Sequence, residues 1–220
     1  MSKLLTIGMV GCGRIATRFV KEAKFVDDVR LTGVCGLDES ESRRFAGTNG
    51  LSFYSDSFKK LLDKIDAIYI ASPHLIHYEY IKKALNKGKH VLCEKPMVLS
   101  ASEATELFRL AGEKKLVLLE ALKTAFTPGF IQMVRISKSG LIGKIISVDA
   151  TFTKLVDGSV RELQKETAGG SMTELSSYPL LAAIKLLGID YKSVAFYSYF
   201  GEKHEVDLFS RIILFFSSFS

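Results

Sequence analysis

Gly11-Cys12-Gly13-Arg14-Ile15-Ala16 has the residue types that let a chain wrap a pyrophosphate. Gly11 permits a tight turn, Gly13 leaves bare backbone where phosphates approach, and Ala16 is small enough for a helix to pack closely on a sheet. A helix opening there aims free N–H groups and the positive end of its dipole at the anion. Two later runs carry reactive types: Ala71-Ser72-Pro73-His74-Leu75-Ile76-His77, and Gly88-Lys89-His90-Val91-Leu92-Cys93-Glu94-Lys95-Pro96. In the second, a charged pair stands directly before a proline. Farther on, Gly169-Gly170 precede Glu174 and Tyr178, which are four positions apart and share a face if the segment is helical. Pro179 would remove one helical hydrogen bond there and kink the chain. His74 and His77 are spaced like two metal ligands, but no third lies nearby, so no metal site is expected.

The elements around these motifs alternate. Leu4 to Val10, Leu31 to Cys35, Ala67 to Ala71, His90 to Cys93 and Leu116 to Leu119 are short, Val/Ile/Leu-rich runs without strict alternation, as strands covered on both faces should be. Between them lie helix patterns. Ile15, Phe19 and Ala23 form one stripe, with Arg14, Arg18, Lys21 and Glu22 opposite. Ser100 to Lys114 begins with a capping-box spacing, Ser100 to Glu103. Strand–helix alternation implies a doubly wound parallel sheet. Ligands of such sheets bind beyond the carboxyl ends of the strands, so the glycine loop and both later motifs should face one crevice.

The second strand ends Val34-Cys35-Gly36-Leu37-Asp38. A carboxylate about 20 residues past the loop takes the ribose 2′-hydroxyl in such folds. Gly36 holds that spacing best and Asp38 follows two residues later. A glycine leaves room for a 2′-phosphate, which Arg14, Arg43 or Arg44 would answer. Asp38 has a second reading as the N-cap of the next helix, and NAD and NADP stay open.

After about residue 125 the rhythm changes. A helix-like stretch runs from Pro128 to Ser137, and in Lys144 to Lys154 the residues Ile146, Val148, Ala150 and Phe152 alternate with more polar neighbours, the period of a strand with one solvated face. A helix near Leu180 to Leu187 and strand-like runs at Val194 to Phe200 and Arg211 to Phe219 follow. The expected fold is α/β: a Rossmann domain over residues 1–122, then an α+β substrate and oligomerisation domain over 123–220 with a largely antiparallel open sheet. That second domain is expected to be incomplete at its C-terminus, because nothing follows Ile212 to Phe216 to pair with its outer edge. Self-association through that edge, or origin as a piece of a longer protein, is the expected consequence.

Composition excludes several classes. The chain has 220 residues, 47% hydrophobic and 25% charged, and no apolar run reaches the ~20 residues of a membrane span. The apolar N-terminus breaks into Gly-Cys-Gly and reads as a buried strand rather than a targeting signal. Cys12, Cys35 and Cys93 are scattered and odd in number, which fits a reduced, cytoplasmic interior. The net charge of +6 is spread along the chain among acidic residues, without a basic arm, so nucleic acid is not an expected partner.

With these motifs in view, the chain resembles the glucose–fructose oxidoreductase, inositol dehydrogenase and rhizopine-catabolism (Gfo/Idh/MocA) family. The likeness runs through GCGRIA, ASPHLIH, GKHVLCEKP, EALKTAFTP and AGGSMTELSSYPL. The resemblance implies a nicotinamide-dependent oxidoreductase acting on a sugar, polyol or dihydrodiol hydroxyl or carbonyl. It also implies that Ser72, Pro73, His77, Glu94 and Lys95 line the cofactor with the glycine loop. Lys95 and Tyr178 would be catalytic, and Glu174 would meet substrate with them. Tyrosine at 178 is similar to the dihydrodiol and xylose dehydrogenase branches. Three departures stand out: Thr124-Ala125 replaces the family's aromatic-Arg pair, Glu174 replaces an aspartate, and members run considerably longer. A packing role for Tyr178, and a non-catalytic dinucleotide sensor or regulatory protein on the same fold, are the competing readings.

Overall fold

A computed structural model describes residues 4–156, 158 and 160–216. The chain divides into two compact units, Met1–Ala121 and Leu122–Ser220. The first alternates strands β1 (Leu5–Val10), β2 (Val29–Cys35), β3 (Phe53–Ser55), β4 (Ala67–Ile70), β5 (His90–Cys93) and β6 (Leu118–Glu120) with helices α1 (Arg14–Ala23), α2 (Glu39–Asn49), α3 (Phe58–Leu62), α4 (His77–Asn86) and α5 (Ala101–Glu113). Every neighbouring pair is parallel, in the order β3-β2-β1-β4-β5-β6. The order turns back between β1 and β4, the point outside which such sheets bind ligands.

Side chains alternate across this sheet. Val10, Ile68 and Ile70 join one apolar cluster with Leu61, Ile81, Leu85 and Leu107. Met9, Val34 and Tyr69 join the other with Ala16, Val20 and Phe45. Both faces are therefore covered, which explains why the strands read as continuous apolar runs. Cδ1 of Leu61 lies 2.9 Å from where a Cβ would stand on Gly8 or Gly33, so those two strand glycines let α3 close down on the sheet.

Some expectations change in detail. The inner stripe of α1 is Ala16 and Val20, while Ile15 is 37% exposed. Small Ala16 is the residue that brings the helix start close to the sheet, and this turns Ile15 outward. Phe19 still packs inward, stacked on Tyr69 with ring centroids 3.7 Å apart. Ser100 occupies the N-cap of α5, but its hydroxyl pairs with Ser102 Oγ at 2.6 Å instead of capping, so the capping box does not form. Edge strand β3 is three residues long, too short to show a period in the sequence.

The second unit contains α6 (Pro128–Lys138), α7 (Ser171–Leu175), α8 (Ser177–Leu187), β7 (Tyr191–Phe200) and β8 (Asp207–Phe216). Pro128 opens α6, where its missing N–H has no helical partner to lose. Strands β7 and β8 form an antiparallel ladder from Tyr191 opposite Phe216 to Phe200 opposite Asp207. The strand expected over Lys144 to Lys154 does not form: the segment is irregular, with Ile146 73% and Phe152 47% exposed. Alternating side chains make a strand only where a neighbour supplies ladder hydrogen bonds, and no strand pairs with this segment among the described residues. Of the expected strand from Arg211 to Phe219, residues 217–219 lie outside the described residues. Among the described residues, no helix is long and apolar enough to cross a membrane.

Candidate functional site

The carboxyl ends of the central strands finish level. Val10 pairs with Ile70, Ile70 with Cys93, and Cys93 with Glu120. The ladder continues one residue further: Gly11 N–H donates to Cys35 O at 2.9 Å, Ala71 N–H to Val10 O at 2.9 Å, and Glu94 N–H to Ile70 O at 2.9 Å. The glycine loop, Ser72-Pro73 and Glu94-Lys95 therefore leave the sheet side by side along one rim.

Gly11 has φ +96°, and a Cβ there would stand 2.5 Å from Ala71 O. Only glycine satisfies both the turn and the approach. Gly13 is the N-cap of α1, with no side-chain cap, no acidic residue in the first turn, and nothing within 4 Å of a notional Cβ. The free N–H groups of this helix face open space, with Arg14 and Ile15 exposed in its first turn. Beside them the Cys12 thiol is pushed up to about 12 by burial and by the Glu41 carboxylate, so it stays a neutral thiol. On the next strand end, the Ser72 hydroxyl is buried without a hydrogen-bond partner. An uncapped helix start and an orphaned hydroxyl on the same rim are what a bound dinucleotide would satisfy.

His77 sits behind the rim. It is fully buried, with Nδ1 2.9 Å from Pro96 O and Nε2 2.8 Å from Ser72 O. Both partners are carbonyls, so a neutral ring donates to one and an imidazolium to both. The ring ties the Ser72-Pro73 turn to the segment after Lys95. His74 packs edge-on against it, centroids 5.6 Å apart.

Glu94 is held from beneath. Its Oε1 accepts the Tyr69 hydroxyl at 2.6 Å, and its Oε2 accepts Lys95 N–H at 3.3 Å. Burial, then the Glu94 charge, push the Tyr69 hydroxyl well up, so it remains a donor to the carboxylate. Lys95 is half-buried and its peptide bond to Pro96 is cis. Glu120 Oε1 accepts Met97 N–H at 2.8 Å and fixes the chain just beyond the pair. Sequence reasoning named neither Tyr69 nor Glu120. The signal was present for Tyr69, the hydroxyl-bearing residue of the fully buried Ala-Ile-Tyr-Ile strand, since a buried phenol needs a partner.

Asp38 takes up the N-cap alternative. Its Oδ1 accepts Glu41 N–H at 2.8 Å and the Ser40 hydroxyl at 2.7 Å, and these bonds hold its carboxyl below the usual range.

In the second unit, Gly169 and Gly170 are forced by space: a Cβ on Gly169 would stand 2.5 Å from Glu162 O, and one on Gly170 (φ +112°) would strike the Asp207 carboxylate. Asp207 Oδ2 accepts Met172 N–H at 2.7 Å and so anchors the start of α7 to β8. Glu174 lies in α7 and Tyr178 in α8, and Ser176 between the two helices keeps helical dihedrals (φ −62°, ψ −25°). Leu180 N–H donates to Ser176 O at 3.0 Å across this junction, and Pro179, without an N–H, removes one bond from the ladder there, as expected. Glu174 is 7% exposed and pairs with Arg161 Nη2 at 2.7 Å. Tyr178 is half-buried and stacks on Phe152, centroids 4.3 Å apart. Arg161, which sequence reasoning missed, lies before the Gly-Gly pair and gave no signal by spacing. A cavity of about 300 Å³ opens here, lined by Lys154, Glu162, Ser171, Glu174, His204 and Asp207 among others.

A family model described as an oxidoreductase family with an NAD-binding Rossmann fold (GFO_IDH_MocA) matches residues 5–122. A scyllo-inositol 2-dehydrogenase (NADP(+)) of Bacillus subtilis is 29% identical over 193 residues, 84% of this chain and 59% of its own. A dTDP-3,4-didehydro-2,6-dideoxy-alpha-D-glucose 3-reductase of Saccharopolyspora spinosa is 31% identical over 223 residues, 97% of this chain and 65% of its own. Among solved structures, KijD10, a 3-ketoreductase from Actinomadura kijaniata in complex with NADP and TDP-benzene, superposes with a TM-score of 0.75 at 30% identity, covering 88% of this chain and 59% of that one. The chain thus spans roughly three-fifths of the length of these relatives. The match extends over more than half of the chain and takes in the glycine loop and both strand-end motifs, and the chain belongs to the Gfo/Idh/MocA family of oxidoreductases with an NAD-binding Rossmann fold.

Proposed function

We propose that this chain is a nicotinamide-dependent oxidoreductase that interconverts a hydroxyl and a carbonyl on a sugar, polyol or dihydrodiol. The observation that carries the reading is the rim itself: an uncapped helix start, an orphaned serine hydroxyl and a Glu-Lys pair leave adjacent strands at one level. Relatives named as inositol and xylose dehydrogenases and a dTDP-sugar 3-reductase support the substrate class. Gly11, Cys12, Gly13, Arg14, Ile15 and Ala16 would hold the pyrophosphate, with Ser72, Pro73, Glu94 and Lys95 along the rest of the dinucleotide. His77 would position the two turns it joins.

The cofactor, NAD or NADP, supplies the redox exchange when bound. Tyr178 would take the proton from the substrate hydroxyl in oxidation and return it in reduction. Lys95, cationic, would stabilise the developing alkoxide and favour the ionised phenol. Glu174, through its Arg161 pair, would shape the substrate end. We place the protein in the cytoplasm as a homo-oligomer in which a second copy covers the β7–β8 sheet. The exposed Phe196, Tyr197, Phe200 and Phe209 of that sheet support this. Sedimentation over a concentration series should then show a species heavier than one chain, and a monomer throughout would remove that part.

A screen of aldoses, inositols and dihydrodiols with NAD and NADP, read by nicotinamide absorbance, tests the activity. Turnover of one class supports the enzyme. Saturable dinucleotide binding without turnover of any class would favour the non-catalytic sensor.

A further inference from the structure

The end of the second strand is where dinucleotide-binding sheets place the acid that reads the ribose 2′-hydroxyl. In this chain it holds Gly36, and a side chain there would have to displace its neighbours. A Cβ would stand 2.6 Å from Glu41 Oε2 and 2.9 Å from both Cys12 Sγ and Ser42 Oγ. The carboxylate that fills the place comes instead from the first turn of α2. Leu37 N–H donates to Glu41 Oε2 at 2.9 Å, and Oε1 makes no hydrogen bond among the described residues. Ser42 Oγ accepts Gly36 N–H at 2.8 Å and fixes the strand end against the helix. The same carboxylate faces the phosphate loop: after burial, its charge is the largest influence keeping the Cys12 thiol protonated. Asp38, the other candidate, is turned onto its own helix as the cap.

We infer that Glu41 is the residue that reads the cofactor's ribose and makes this chain prefer NAD(H) to NADP(H). The assignment rests on the dinucleotide reading above. A carboxylate accepts from a 2′-hydroxyl and repels a 2′-phosphate. Arg44 stands three residues after Glu41 on α2, on the same side of the helix, and would attract a 2′-phosphate once the Glu41 charge is gone. The competing account makes Glu41 a helix-start residue only, since Asp38 and Glu41 stand three apart as in a capping box. Glutamine separates the two accounts, because it keeps an acceptor for Leu37 N–H and removes the charge.

The test is titration of the unaltered chain, Glu41→Gln and Asp38→Asn with NADH and NADPH, followed by nicotinamide fluorescence. The unaltered chain should bind NADH more tightly. Glu41→Gln should weaken NADH and strengthen NADPH, moving the ratio of the two Kd values by about tenfold or more. Asp38→Asn keeps a good cap and should leave the ratio unchanged. An unmoved ratio in Glu41→Gln, a ratio moved by Asp38→Asn in its place, or a preference of the unaltered chain for NADPH overturns the assignment alone. Failure of the unaltered chain to bind either nucleotide overturns the dinucleotide reading with it. The preference of the unaltered chain is itself a readout that does not depend on any variant folding.

Discussion

In Met1–Ala121, Met9, Leu61, Tyr69, Ile70, Ile81 and Leu85 are at most 2% exposed, whereas in Leu122–Ser220 Phe196, Tyr197, Phe200, Phe209 and Phe215 are each more than half exposed. Among the described residues, Val206 is the one buried apolar side chain of the second unit. The difference follows from sheet size. Six parallel strands with helices on both faces close a core from their own residues, while a two-stranded ladder has too little surface to bury its aromatics against itself. The first unit supplies its own stability and a rigid rim. The second leaves most of its aromatic side chains exposed.

The largest expected effect runs across this contrast. Lys95 lies on the rigid rim and Tyr178 on the more open unit, yet the proposed chemistry uses both. Lys95→Met should keep cofactor binding and lower turnover on the order of 10²–10⁴-fold, and Tyr178→Phe should do the same. The double variant should be little worse than either, as residues acting as a unit are not additive. Near-native turnover of Lys95→Met on an identified substrate would make the lysine structural.

Stability should separate the two units next. Leu61 fills the space over Gly8 and Gly33, so Leu61→Ala should leave a cavity and cost about 2–5 kcal/mol in a denaturant melt. Phe209→Ser removes a side chain that is 53% exposed, and in the isolated chain it should stay within about 0.5 kcal/mol of the unaltered protein. Equal losses from the two substitutions would show that the second unit has a core of its own.

The same contrast explains what the sequence could reveal. The parallel strands were legible because full burial imposes apolar runs, and the rim was legible because Gly11 and Gly13 answer to backbone geometry rather than to distant partners. Lys144 to Lys154 misled because its alternation records side-chain polarity and not the presence of a neighbouring strand. Tyr69 beneath Glu94, Arg161 beside Glu174 and Glu41 over Gly36 were missed for a common reason. Each is defined by a contact to a side chain or backbone atom elsewhere, and no local period encodes such a contact. Asp38 was readable two ways, and its Oδ1 caps α2.

The claim on which the rest depends is that the rim binds a dinucleotide through bare backbone at Gly13. Titration of Gly13→Val with NADH and NADPH, beside the unaltered chain and with a thermal melt of each, tests it most directly. The space at this position is open, so valine should fold normally while its branched side chain occupies the phosphates' approach. The expected result is saturable binding by the unaltered chain and loss of affinity for both nucleotides in a folded variant. Undiminished affinity in Gly13→Val would contradict the account.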